Sequence, residues 1–232
     1  MTNANSSDNV DRLMIVDTLC EKTRLFLLGA GGHAKSCIDV IESTNQFEIY
    51  GLFGLKSEIG HYIFEYPIIG EDKDINTTFL DDHPSALGVV SLGQIKSAEN
   101  RIHLFNKLKD LNRVSPAIIS PFAYVSKRSR LGVGTIIFHG SIINADVTVG
   151  ENCILNSNSL IEHDSVINSH CHISTGVKIN GGVSVGAGTF IGSGCVVKEG
   201  VSIGENCVIG MGQALFNDVE SGSFIPAKRV KK

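Results

Sequence analysis

The sequence predicts an α/β domain followed by a parallel β-helix. Two observations carry this reading: an apolar strand that runs into a glycine turn and a helix near the N-terminus, and an aliphatic residue at every sixth position through the second half. A third agrees with them. The chain has 25 glycines and no tryptophan, which suits tight turns and narrow, regular packing rather than large aromatic anchors.

Length and charge set the outer limits. The 232 residues suffice for two small domains of the usual size, about 100 to 150 residues each. A charged fraction of 19% and a net charge of −4 give no electrostatic platform for nucleic acid or an anionic membrane, so small discrete ligands are the expected partners. No apolar run approaches the roughly 18 residues needed to span a bilayer. The first 23 residues lack a basic start, an apolar core and a cleavage site, so residues 1–23 are expected to form an N-terminal extension of a cytoplasmic protein.

Residues 24–115 form the first unit. The segment "RLFLLGAGGHAKSCIDVIEST" reads as strand, glycine turn and helix, and Gly29, Gly31 and Ala34 satisfy G-x-G-x-x-G/A. Such a turn lets backbone N–H groups approach a phosphate at a helix N-terminus, although the same glycines also serve a merely close strand-to-helix turn. A dinucleotide reader would add an acidic residue after the next strand to hold a ribose hydroxyl; "FEIYGLFGLKSE" offers Gly54 and Leu55 there, which argues against NAD. A further strand in "ALGVVSLGQ" and a helix in "SAENRIHLFNKLKDL" complete an alternating, Rossmann-like domain. Pro116 and Pro121 in "NRVSPAIISP" mark its end.

Residues 116–220 form the repeat. Ile119, Val125, Leu131, Ile137, Ile143, Val149, Leu155, Ile161, Ile167, Ile173, Ile179, Val185, Ile191, Val197, Ile203, Ile209 and Leu215 stand six apart without a slip. Neither a helix of period 3.6 nor a strand of period 2 gives this pattern; hexapeptides wound into a parallel β-helix do. Counting each aliphatic as place one, place five holds small residues from Ser129 to Cys207, among them Cys153, Cys171, Cys195 and Cys207. Those cysteines are expected to be small core residues rather than redox or metal groups. Gly132, Gly150, Gly186, Gly192, Gly204 and Gly210 occupy place two, where a corner is expected to demand a backbone conformation that side chains resist. Residues 221–232 form a basic tail.

The repeats "VGENCI", "IGSGCV" and "IGENCV" resemble those of hexapeptide-repeat acyltransferases. With "LLGAGGHA" ahead of the coil, "YPIIGEDKDI", "SLGQ" and the closing "IPAK", the chain is similar from Arg24 to Lys228 to sugar acetyltransferases of the sialic acid and bacillosamine type. The resemblance implies a left-handed parallel β-helix with three hexads per coil, a homotrimer, and acetyl-CoA held between neighbouring coils. It also implies a sugar nucleotide in the first domain, with Gly29, Gly31, Gly32 and His33 at the loop near its phosphates. Members of the family carry an acidic pair where this chain has Gly54-Leu55.

The stretch "SLIEHDSVINSHCHISTG" holds three of the eight histidines. With three hexads to a coil, His163 occupies place three, points outward, and has Ala145 and Gly181 one coil away on either side, which leaves room for a substrate. A histidine with a pKa of about 6.5 is a competent base at neutral pH, and a neighbouring carboxylate can orient it. By resemblance, "IEHD" makes His163 the general base, Asp164 its orienting carboxylate and Glu162 an acceptor contact, with Asn156 at a nearby polar position. His172 and Gly181 are placed by the same resemblance against acetyl-CoA. The implied reaction is direct attack of an amine on the thioester, most simply N-acetylation of a UDP-linked amino sugar for bacterial surface glycan synthesis. O-acetylation of a sialic-acid-type sugar is the alternative. Two remoter readings stay open: a zinc enzyme of the gamma carbonic anhydrase kind using His163, His170 and His172, and a non-catalytic trimer that senses a nucleotide sugar. No metal is expected.

Overall fold

The computed structural model describes residues 22–227, so nearly all of the N-terminal extension and the basic tail residues Lys228, Arg229, Lys231 and Lys232 lie outside the described residues. The first domain is a five-stranded sheet flanked by helices. Strands β1 (Thr23–Leu28), β2 (Phe47–Phe53), β3 (Tyr62–Ile63), β4 (Tyr66–Gly70) and β5 (Leu87–Val90) stand in the order β3-β4-β2-β1-β5, parallel except for the β3–β4 pair.

The central strand β1 is buried on both faces, as its continuous apolar sequence requires. Leu25 and Leu27 point to one side, where Ala34, Cys37, Ile38 and Ile41 of helix α1 (Gly32–Thr44) meet them at helical spacing. Phe26 and Leu28 point to the other side. There they pack with Phe105 and Leu108 of helix α3 (Glu99–Asp110); a short helix α2 (Thr77–Asp82) lies between β4 and β5.

The second domain is a left-handed parallel β-helix of two-residue strands running from Ile118–Ile119 to Phe224–Ile225. Its strands stack into three faces, and partners along each face are 18 residues apart, for example Ile143 with Ile161. The place-one aliphatics from Ile137 to Leu215, with the place-five valines and all four repeat cysteines, form one apolar column inside the coil. The ladder reaches residues that the sequence assigns to the tail. It does so through a shortened turn, since Ile209 pairs with Ile225 and Ile203 with Val219, each only 16 residues on.

The corners correct one expectation. The residues with left-handed backbone are those at place four: every one of these, from Gly134 through Asp146, Asn152, Asn158, Asp164 and His170 to Gly212, has φ between +51° and +71°. Glycine, asparagine and aspartate are the residue types that enter this region at least cost. The place-two glycines have ordinary φ and are small for another reason. A Cβ on Gly150 would lie 2.5 Å from the backbone nitrogen of Ser169, in the next coil. At these glycines coil stacking, not backbone conformation, excludes a side chain.

Among the described residues, one face of the coil is covered by the first domain. Ile118, Ile136 and Ile154 on the first face, with Phe138 beside them, join the apolar cluster of α1, so the first domain sits on the early rungs of that face. No other described residues outside the coil form a core cluster with the remaining faces.

Candidate active site

His163 stands at the corner between the second and third faces, just after the strand Leu160–Ile161. Its carbonyl accepts from Gly182 N–H at 2.9 Å, and Asp164 N–H donates to Ala145 O at 3.2 Å, so hydrogen bonds to the coils on both sides fix the corner. The imidazole is outside. Its side chain is 66% exposed, and Nδ1 lies 2.8 Å from Asp164 Oδ2. With Nδ1–H donated to that carboxylate, the Nε2 lone pair is free to accept a proton. The hydrogen bond donated to Asp164 raises the imidazole pKa above its ordinary value, and the charges of Asp164 and Glu162 add to the effect.

Glu162 is directed elsewhere. Its Oε2 accepts from Asn144 Nδ2 at 2.8 Å, one coil earlier, so it serves the rim of the corner rather than the imidazole. Gly181 lies one coil after His163 and is the residue against which the imidazole rests.

His172 and Asn156 form a second group, on and beside the first face. His172 is 6% exposed; its Nδ1–H donates to the backbone oxygen of Gln94 at 2.7 Å, and Asn156 Nδ2 lies 3.5 Å from its Nε2. Burial lowers its pKa to about 3, helped by the neighbouring His33 and Arg101, so the ring is neutral and Nε2 is an acceptor. Among the described residues no hydrogen bond joins this group to His163. The two lie on different parts of the triangular coil.

Gly29 and Gly31 line a cleft of about 520 Å³ at the end of β1, walled also by Phe53, Gly54, Leu55, Glu58, Asn100 and His103. Gly29 has φ +115°, and a side chain there would collide with Leu92. Gly32 opens α1 and does not line this cleft. His33 departs from expectation more sharply: its ring packs 5.4 Å from Phe138 and 6.1 Å from His172, on the coil side of the turn. Burial, with Arg101 nearby, lowers its pKa to about 4. A neutral, half-buried His33 therefore lies beside His172 and does not line the cleft.

Sequence reading missed the group that ties the two domains together. Arg101 is 2% exposed; its guanidinium donates to Gln94 Oε1 at 3.0 Å and to both the backbone oxygen and Oδ1 of Asn152, at 2.6 and 3.0 Å. Gln94 donates in turn to Gly188 O at 2.7 Å, and its own carbonyl holds His172. The signal was present in the sequence. Arg101, Phe105 and Leu108 share one stripe of α3, and a cation on an apolar stripe needs buried acceptors.

Two decoys resolve on geometry. His170 is held by Asn152 Nδ2 at 3.0 Å and packs edge-on against Phe105, 5.6 Å between centroids, and no cluster of three or more potential metal ligands occurs among the described residues. Ser120, His139 and Asp39 are linked at 2.6 and 3.0 Å in the manner of a hydrolase triad. Ser120, however, is 1% exposed and its Oγ accepts from Phe122 N–H, so the group latches α1 to the coil and offers no nucleophile. Among the described residues no helix is long and apolar enough to cross a membrane.

Comparison with known proteins finds two family matches, one in each half of the chain. Residues 24–108 match the PglD N-terminal domain family and residues 182–216 match the hexapeptide repeat of succinyl-transferase. No curated protein matches the sequence. Among solved structures, a variant of perosamine N-acetyltransferase from Caulobacter crescentus, in complex with CoA and GDP-perosamine, is 26% identical with a TM-score of 0.79, over 86% of this chain and 91% of its own. The acetyltransferase domain of PglB from Neisseria gonorrhoeae, with acetyl coenzyme A, superposes with a TM-score of 0.78 over 90% of this chain and 100% of its own, at 21% identity. WeeI from Acinetobacter baumannii shares the fold at 17% identity, with a TM-score of 0.65 over 88% of this chain and 97% of its own. The chain therefore joins a PglD-type N-terminal domain to hexapeptide repeats, and it shares this arrangement and its fold with the perosamine N-acetyltransferase structure.

Proposed function

We propose that the protein transfers the acetyl group of acetyl-CoA to the amine of a sugar carried on a nucleoside diphosphate, with His163 as general base. The observation that carries the reading is the His163–Asp164 pair: an exposed imidazole with one nitrogen held by a carboxylate and the other free, facing a residue without a side chain. The likeness to a perosamine enzyme crystallised with CoA and a GDP-sugar supports an amine acceptor on a nucleotide-linked sugar. It leaves UDP and GDP carriers both open.

In this mechanism His163 Nε2 takes the proton as the amine nitrogen attacks the thioester carbonyl. The C–N bond forms, the C–S bond breaks, and CoA leaves as a thiolate that takes up a proton; the Asp164 carboxylate stabilises the imidazolium while it exists. Positioned bases of this kind contribute about 10²- to 10⁴-fold to rate. His172 Nε2, neutral and able only to accept, would take a pantetheine N–H, and Gly181 lets the pantetheine arm approach the backbone.

The reading includes a homotrimer. His163 and His172 occupy different parts of one coil, so an acetyl-CoA that touches both must lie between two copies. The second face fits this role, because its outward residues Tyr124, Ile142 and Val196 are apolar yet 59%, 41% and 41% exposed in the single chain.

The test is release of CoA thiol from acetyl-CoA with UDP- and GDP-linked amino sugars in one panel and sialic-acid-type sugars in another, with His163→Ala alongside. Turnover on an amino sugar that falls about 10²-fold or more in the variant, with the fold intact, is the expected result. Turnover confined to the sialic-acid panel would replace N- by O-acetylation, and near-wild-type turnover in the variant would remove His163 from the mechanism.

A further inference from the structure

We infer that Glu58 is the side chain that reads the nucleotide: its carboxylate accepts the 2′-hydroxyl of a nucleoside diphosphate held in the glycine-turn cleft. The inference rests on the nucleotide-sugar reading above and names a residue for it. The place after β2, where a Rossmann-type site carries its ribose-binding carboxylate, holds Gly54 and Leu55. The structure shows a carboxylate returning to that place from four residues downstream.

Glu58 lies on the cleft wall with Gly29 and Gly31. Its Oε2 accepts from Leu55 N–H at 2.8 Å, while its own N–H donates to Leu55 O at 2.8 Å, so the side chain is folded back over the end of β2. Oε1 has no hydrogen-bond partner among the described residues, which leaves one oxygen free to accept from a ligand. Gly54 is part of the same device. A Cβ on Gly54 would lie 2.7 Å from Glu58 Oε2, so the missing side chain at 54 is what admits the carboxylate.

A turn cap without a ligand could be built the same way, and the chain contains one. Beyond β4, Asp74 Oδ2 accepts from Glu71 N–H at 2.8 Å, and a Cβ on Gly70 would lie 2.9 Å from it. That copy reaches the cleft only through Asp72; its capping carboxylate Asp74 does not line it. Glu58 differs from Asp74 in that the capping residue itself lines the cleft, together with the turn whose backbone is suited to phosphate, and it follows β2, after which a Rossmann-type site carries its ribose carboxylate. A carboxylate is also the wrong group to set against a diphosphate and the right one to accept from a sugar hydroxyl.

The experiment is titration calorimetry on the full chain with UDP, GDP and their 2′-deoxy forms, for wild type, Glu58→Gln and Gly54→Ala. In Glu58→Gln the amide oxygen can keep the Leu55 N–H and turn an NH₂ toward the ligand, so the fold is retained and the acceptor is lost. The expected result is ribonucleotide affinity about tenfold or more weaker in Glu58→Gln, with 2′-deoxynucleotide affinity unchanged. Gly54→Ala, which displaces the carboxylate, should show the same loss, and the double variant should lose no more than either alone. If wild type binds a ribonucleotide and Glu58→Gln binds it equally well, the assignment to Glu58 is wrong and the nucleotide reading survives. Equal weakening toward ribo- and deoxynucleotides would move the contact from ribose to base and overturn the assignment as stated. Absence of binding by wild type to either nucleotide at millimolar concentration would overturn the nucleotide reading itself, and the role of Glu58 with it.

Discussion

Gly181 stands one coil beyond His163, and a Cβ placed on it would lie 2.7 Å from Cε1 and 2.9 Å from Nε2 of the imidazole. Gly181 has an ordinary backbone conformation, so alanine fits the chain itself and only the imidazole must move. Displacing a base by about an ångström can cost on the order of 10²-fold in rate. Gly181→Ala is therefore expected to lower kcat/KM by about 10- to 100-fold while leaving the thermal midpoint almost unchanged. A fully active Gly181→Ala enzyme would show that catalysis does not depend on the present position of His163.

The Asp164 carboxylate gives a pH prediction with a definite sign. It raises the His163 pKa, and the base works only when neutral, so the acid limb of kcat/KM stands above the ordinary imidazole value. In Asp164→Asn the limb should move to lower pH, and the plateau should drop about tenfold or more because the ring loses its orienting partner. Asparagine is the right probe. Asp164 has φ +61°, and asparagine already occupies the equivalent place at Asn152, Asn158 and Asn206. An acid limb that does not move in the variant would mean that a different group titrates.

His33 makes the stability of the folded chain sensitive to acid. Its folded pKa is lowered to about 4 by burial and by Arg101, against 6.5 in the unfolded chain. Between those values the unfolded state binds a proton that the folded state refuses. Stability from this residue is therefore complete above pH 6.5 and is lost as pH falls from there toward 4, at about 1.4 kcal/mol per pH unit at most. His33→Phe, which keeps an aromatic ring beside Phe138 and removes the titration, should gain on wild type as pH is lowered across that window. Urea midpoints measured at pH 7, 6 and 5 test this; a constant difference between the two proteins would assign the acid sensitivity elsewhere.

Much of this was legible because a coil repeats. One period of six indexes every residue to a face or a corner, so the outward direction of His163, its pairing with Gly181 and the inward cysteines could be read without coordinates. What the period does not index is the junction of the two domains. His33 sits in a motif that matches a phosphate loop, yet its side chain faces the coil because α1 packs on the first face of the β-helix. The same holds for Arg101, whose acceptors Gln94 and Asn152 come from different domains and have no common spacing. Glu58 was hidden for a smaller reason: a turn brings it back to a place that the sequence shows as empty.

The corners offer the last prediction, because two kinds of glycine in them resist substitution for different reasons. At Gly176, a place-four residue, φ is +66° and nothing lies within 4 Å of an added Cβ. Alanine there meets only the left-handed backbone penalty, roughly 1–2 kcal/mol, and asparagine, the residue that the chain itself uses at Asn158 one coil earlier, should cost a few tenths. At Gly150, a place-two residue, φ is ordinary but the added Cβ meets Ser169 N at 2.5 Å and Ser169 Oγ at 2.7 Å, so the two coils must separate. No local adjustment of a flexible side chain relieves a backbone clash. Gly150→Ala should cost more than Gly176→Ala, about 3 kcal/mol or above, and asparagine at 150 should do worse still. Denaturant midpoints for the four variants check the order. If asparagine rescued position 150 as it does 176, the left-handed corner would have to be assigned to place two after all, against the backbone geometry seen from Gly134 to Gly212.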